Sequence, residues 1–271
     1  MEERFENPQC ACGNRGARPG SRIEIGRVRE RLDQLQDAGD SAGAERLLDY
    51  WLAEARQAGD QTGEILIENE YVGFFRKTDR GDEALAHGER GMALLAEAGM
   101  EDTVTAATTR INLATACVAF RQPERGMKLF REARELYERL LKPEDSRLAG
   151  LYNNMGLCAA ELGAWTEGRE LFRKALAMGE KTPEGKGEAA ITCLNMADLV
   201  SAEYAEAEDE ESLTHAAEEI DALTERAWRL LNAEDLPRDD YYRFICGKCA
   251  PVFGYYGCLE YQEELEKRSV G

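Results

Sequence analysis

Along the chain, apolar-rich segments of helical length alternate with short breaks marked by glycine, proline or aspartate. The stretch Leu151 to Leu176, LYNNMGLCAAELGAWTEGRELFRKAL, shows the pattern. Its apolar side chains recur at the intervals of one helix face, stop at Gly163-Ala164-Trp165, and resume in a second helix carrying Phe172, Ala175 and Leu176. The first of these helices is apolar except for a tandem pair, Asn153-Asn154, set beside Met155 and Leu157. Asn is a mediocre helix former whose amide demands hydrogen bonds, so the pair needs partners that the helix itself does not supply.

The same phrase recurs. INLATA, NNMGLC and LNMADL each pair an Asn with a small residue two places on, and Asn112, Asn154 and Asn195 are separated by 42 and 41 residues. A period of that length signals stacked helical hairpins. Ala114, Gly126, Phe130 and Ala133 mark the hairpin before Leu151, and Val72, Phe75, Ala84 and Gly91 mark the one before that. A degenerate first hairpin turns at Gly39-Asp40. Downstream, Asn195 to Ala197 opens a fifth copy, whose second helix is expected around Ile220 to Leu231 after the acidic insert EYAEAEDEES, and a sixth spans about Pro237 to Arg268.

The expectation is about twelve helices and no strand, in repeats at 23–60, 62–99, 102–142, 144–181, 184–234 and 237–268. Residues 1–22, rich in Gly, Arg and Asn, are expected to be a disordered N-terminal segment. Thr182-Pro183-Glu184 and the KPED before Ser146 read as helix starts. Pro251, with Gly247, Gly254 and Gly257, should kink or shorten the last first-helix.

Tyr152, Met155-Gly156, Ala159, Gly168, Phe172 and Ala175 stand where the tetratricopeptide repeat (TPR) places its aromatic, small and apolar residues. Residues 23–268 therefore resemble that superfamily, in the longer repeat of about 42 residues found in kinesin light chains and bacterial peptide receptors. More closely, they are similar to uncharacterised clostridial repeat proteins. The resemblance implies an all-α, right-handed α-solenoid of about six TPR-like hairpins whose first helices line a concave groove for extended or helical peptides. In several such receptors the Asn two places before the small residue grips the peptide backbone. By that likeness Asn112, Asn154 and Asn195 would form a row of peptide-binding amides, since one amide both donates and accepts.

Asn69, Arg76, Asn153 and Asp198 would tune selectivity, with Thr108 and Thr115 on the same face by three- and four-residue spacing. The alternative is a structural ladder in which the amides bond adjacent repeats and no ligand is involved. A clamp for a terminal carboxylate is not supported, because Arg29, Arg76, Lys77 and Lys248 are the only basic candidates on the first helices.

Composition narrows the partners. The 271 residues carry 53 acids against 34 bases, a net charge of −19, which repels phosphate backbones and argues against nucleic acid. No apolar run is long enough to span a membrane, and the acidic, polar start lacks a secretory signal, so the expected address is the cytoplasm with its thiols reduced.

The remaining chemistry is sparse. Cys246-Gly-Lys-Cys249, with Cys258 or with Cys10 and Cys12, could compose a thiolate zinc site, but Cys246 and Cys249 also fall one turn apart on an expected core face. The only histidines, His87 and His215, lie on second-helix patterns and are expected to face outward. The acidic run Glu206 to Glu211 reads as a solvated helix end or loop, and Trp165 as core. Nucleotide-loop, zinc-protease and hydrolase motifs do not occur.

The function expected is thus a non-enzymatic scaffold or adaptor that captures a protein or peptide segment without a cofactor. Its rivals are a signalling receptor lacking a DNA-binding domain of its own and, less favoured, a cysteine-ligated zinc protein.

Overall fold

A computed structural model describes residues 23–270, and within them there are twelve α-helices and no strand. The expectation of a disordered segment at 1–22, and the cysteines at 10 and 12, lie outside the described residues.

The chain divides after Pro143 into two compact units. The first contains α1 (Ile25–Asp37), α2 (Ser41–Ala58), α3 (Gln61–Lys77), α4 (Gly81–Glu97), α5 (Val104–Ala119) and α6 (Pro123–Leu140). The second contains α7 (Ser146–Glu161), α8 (Trp165–Gly179), α9 (Gly185–Glu203), α10 (Glu210–Leu231), α11 (Asp240–Tyr255) and α12 (Leu259–Val270). In each unit consecutive helices pair as hairpins, and the first helices also touch one another: α1 with α3 and α3 with α5 in one unit, α7 with α9 and α9 with α11 in the other. Four of the first helices, α3, α5, α7 and α9, are consequently buried on most sides. Eleven residues of α7 are buried against six of α8, which is why α7 tolerates so few polar positions.

The turns repeat one geometry. Seven of them place a residue in the left-handed region: Gly39, Gly59, Asp79, Gly99, Arg121, Gly163 and Gly257. In each, the next backbone N–H returns to a carbonyl of the preceding helix, as from Asp40 to Leu35 at 2.9 Å and from Gln122 to Cys117 at 2.7 Å. This satisfies a carbonyl that the helix end would leave bare. Carboxylates then cap several of the following helices: Asp40 accepts from Gly43 N–H and Asp60 from Gly63 N–H, both at 2.8 Å, and Asp209 accepts from Ser212 N–H at 2.8 Å.

Small residues set the separation within a hairpin. Gly156 of α7 faces Phe172 of α8 so closely that a Cβ would lie 2.6 Å from Phe172 Cε1, and the phenyl ring itself is fully buried.

Four local expectations differ from the structure. The fifth second-helix, α10, begins at Glu210, ten residues before Ile220, because Asp209 caps it and Glu210 and Glu211 complement the positive end of the helix dipole. The tail of the acidic run is therefore helix. α11 is not shortened: it runs through Gly247, Pro251 and Gly254 to Tyr255, with Pro251 on an exposed side. α9 starts at Gly185, after Thr182-Pro183-Glu184. Thr182 instead accepts the Gly185 N–H in the turn ahead, at 3.1 Å. Trp165, expected in the core, is half-buried.

Candidate functional site

The amides on the first helices were the principal candidates, and each unit places them differently. In the second unit, α7 carries Asn153 and Asn154 and α9 carries Asn195, all buried. Asn195 Nδ2 donates to Asn153 Oδ1 at 3.1 Å, a bond from one hairpin to the next. Among the described residues Asn153 Nδ2 has no hydrogen-bond partner, although Asn153 is only 1% exposed. That amide is half satisfied, which in a buried setting costs roughly 1–3 kcal/mol.

Asn154 has no exposed surface at all, so its side chain meets a guest only if the helices part. Asp198 is half-buried and accepts the Tyr256 hydroxyl proton at 2.7 Å, tying α9 to the end of α11. Burial, followed by the Asp198 carboxylate beside it, pushes the Tyr256 phenol well above its ordinary range.

In the first unit, Asn69 of α3 donates through Nδ2 to Thr109 Oγ1 of α5 at 3.0 Å, while its Oδ1 is buried without a partner. Thr108 is buried between the Val104 carbonyl and Tyr137 Oη, at 3.1 and 2.9 Å. Thr115 is buried and donates to the Asn112 carbonyl at 2.8 Å, and Arg76 is buried too. Asn112 differs from all of these, because it is half-buried and, among the described residues, its side-chain amide makes no hydrogen bond.

Recurrence at one helical phase brings two kinds of amide pairing together, Asn153 with Asn195 and Asn69 with Thr109. Both join neighbouring first helices. Asn112 is left as the amide of that row with solvent access and spare hydrogen-bonding capacity.

Sequence reasoning missed a second polar centre in the first unit. Glu68 of α3 is 1% exposed, and its carboxylate meets His87 Nδ1 of α4 at 2.5 Å and Arg56 Nη2 of α2 at 3.2 Å. Glu64, one turn earlier, takes Arg56 Nε at 3.0 Å. His87 also stacks on Tyr71 at 4.2 Å between ring centroids, and Tyr71 donates to Asp49 at 2.5 Å; burial first, and then this bond, raise its phenol pKa.

His87 is thus turned inward, contrary to the outward position expected of it, because the buried Glu68 carboxylate offers it a charged acceptor. His215 is exposed. The signal that could have found this centre is Glu64 and Glu68, four residues apart on a helix whose other members include Ile65, Ile67, Tyr71 and Phe74.

Two hollows accompany these groups in the first unit. One of about 150 Å³ is lined by Arg56, Glu68, Ala86, His87 and Arg90, and one of about 460 Å³ by Asp102, Arg110, Glu132, Glu135, Leu136 and Arg139.

The thiols fit packing better than ligation. Cys246 and Cys249 are free and buried, Cys258 is free and half-buried, and burial pushes all three thiols up. Cys193 on α9 is raised to about 12 by the same cause. A thiolate is what binds zinc, so burial works against the metal. Among the described residues no three His, Cys, Asp or Glu side chains are placed to hold a metal ion. Among them, too, no helix is long and apolar enough to cross a membrane.

No family model matches the chain, and no curated protein matches it. Solved structures do. BtubC (BKLC) from P. vanneervenii superposes with a TM-score of 0.64 at 24% identity, over 76% of this chain and 79% of that one. A kinesin light chain of Podosopora anserina with nearly identical TPR-like repeats gives 0.57 at 18%, over 73% and 94%. The apo form of RapI gives 0.54 at 12%, over 92% and 97%. At these identities the likeness concerns fold: the protein is an all-α helical-repeat solenoid of the TPR-like kind.

Proposed function

We propose that this helical-repeat protein is a binding module that captures a peptide segment of a protein partner along its first helices. The observation that carries the reading is the condition of the amides. Asn112 is half-exposed with its side-chain amide unbonded, and Asn153 keeps a free Nδ2 beside its bond to Asn195. An amide offers a donor and an acceptor at one place, which suits a peptide unit irrespective of its side chain. Asn112 makes first contact in the first unit and Asn195, the least buried amide of the second, does so there, while the buried Asn153 is reached only if the helices part. Asn154, Thr108 and Arg76 shape these faces from within the packing. Asn69 and Asp198 hold their neighbours in place.

A second reading is favoured by one bond. Asn195 to Asn153 is itself a hairpin-to-hairpin tie, so the amides can serve cohesion alone. The two readings part on measurement. Peptides selected against the purified chain from a random display library would be titrated against Asn112→Ala, Asn153→Ala and Asn154→Ala. Peptide capture predicts that Asn112→Ala and Asn153→Ala each weaken binding by roughly five- to tenfold, about 1–1.4 kcal/mol, and that Asn112→Ala leaves the melting temperature unchanged. Full affinity in both variants, with a lowered melting temperature for Asn153→Ala, would establish the cohesive role instead.

A further inference from the structure

α9 is closed on nearly every side. From Gly187 to Val200 only Glu188, Ile191 and Asp198 are not buried, and their spacing by three and seven residues sets all three on one side of the helix. Asn195, 7% exposed, falls on that side too. The open side of α9 therefore carries a carboxylate, an isoleucine, an amide and a second carboxylate.

Two groups in this row are unmet. Glu188 Oε2 is buried and, among the described residues, has no hydrogen-bond partner. A carboxylate oxygen withdrawn from water calls for a donor, and a cationic one serves it best. Asn153 of α7, 1% exposed and bonded to Asn195, leaves its Nδ2 without an acceptor among the described residues. Asp198 accepts the Tyr256 hydroxyl at 2.7 Å, and a carboxylate so bonded keeps its charge and further acceptor sites. The neighbouring first helices add little positive charge. The basic residue of α7, Arg147, bonds Asp145, and that of α9, Lys186, bonds Asp235. On α11, Arg243 bonds Asp240 and Lys248 lies over the Phe244 ring.

Resting on the peptide-binding reading above, we propose that the segment captured by the second unit is basic. Asn195, backed by Asn153, takes a peptide unit, and Lys or Arg side chains of the guest seat on Asp198 and Glu188 with an aliphatic stem against Ile191. The spacing selects this kind of guest. Glu188 and Asp198 are ten residues apart, about 15 Å along the helix, which is too far for one metal ion or one small cation to serve both. Two side chains of one segment can, since an extended chain covers about 15 Å in four or five residues.

Peptides selected against the purified full chain from a random display library would be sequenced, and their binding measured by fluorescence polarisation with Glu188→Gln, Asp198→Asn, Glu188→Lys and Glu170→Gln. The selected pool should hold Lys and Arg at least about twice as often as the library, and Glu188→Gln and Asp198→Asn should each weaken binding at least about fivefold at low salt, less at high salt. Glu188→Lys should shift selection toward peptides with Asp or Glu. Glu170, exposed on α8, removes the same charge away from the row, so Glu170→Gln should change affinity by less than about twofold. Binders without basic enrichment, full affinity in both Glu188→Gln and Asp198→Asn, or an equal loss in Glu170→Gln would overturn the charge assignment and leave peptide capture standing. A library that yields no binder would overturn both.

Discussion

Asp79 and Arg121 hold backbone angles that glycine holds at the equivalent turns, with φ of 56° and 63°. For an L-residue that conformation brings Cβ against the following carbonyl at a cost of about 1–2 kcal/mol, less for Asp, whose short polar side chain tolerates it. Arg121→Gly should therefore stabilise the protein by up to about 1 kcal/mol, after glycine's greater freedom in the unfolded chain is subtracted. Asp79→Gly should gain less, and thermal melts of the two variants would show that order; a lower melting temperature for Arg121→Gly would contradict the account.

A second residue-scale effect depends on pH. Asp145 caps α7 through the Arg147 N–H at 3.1 Å and receives the Arg147 guanidinium at 2.8 and 2.7 Å. The guanidinium bonds hold its carboxyl below the ordinary value of 3.8. Folded below unfolded means that the unfolded chain takes up the proton first, so this stabilisation is complete at neutral pH and disappears as the pH falls through the acid range beneath 3.8. Asp145→Asn should cost about 0.3–1 kcal/mol at neutral pH, and its denaturation midpoint should converge on the parent's as the acid range is entered.

Among elements, identical substitutions carry opposite signs according to what the helix faces. Gly156→Ala drives a methyl into the buried Phe172 ring and should destabilise by about 1–3 kcal/mol. Gly73→Ala on α3 meets nothing within 4 Å and should stabilise by about 0.5–1 kcal/mol through helix propensity. Chemical denaturation of the pair checks both. The same contrast explains which elements were legible. Small residues opposite large ones, as at Gly156 and Phe172, reveal hairpins because a missing Cβ allows close approach. The start of α10 was hidden, since glutamates that stabilise a first turn by charge look in sequence like a solvated loop. α11 keeps its full length through Pro251 and its glycines, so the shortening expected of them does not occur.

At the scale of the molecule, the repeat grammar conveys architecture well and recognition poorly. Phase along a helix tells which side a residue occupies, not whether that side meets a neighbouring helix, as at Asn153 and Asn195, or a guest. The bond between them could not be read from spacing alone. His87 was misplaced for a related reason: its partner Glu68 is nineteen residues away on another helix, and burial of that carboxylate is a tertiary fact.

The turns have a different consequence. Because one backbone closure, with its returning N–H, serves at seven junctions, the chain solves the problem of reversing direction once and reuses the solution. Gene duplication or deletion that begins and ends at such a closure would splice compatible ends, so the number of hairpins is free to drift in descent while each join stays sound.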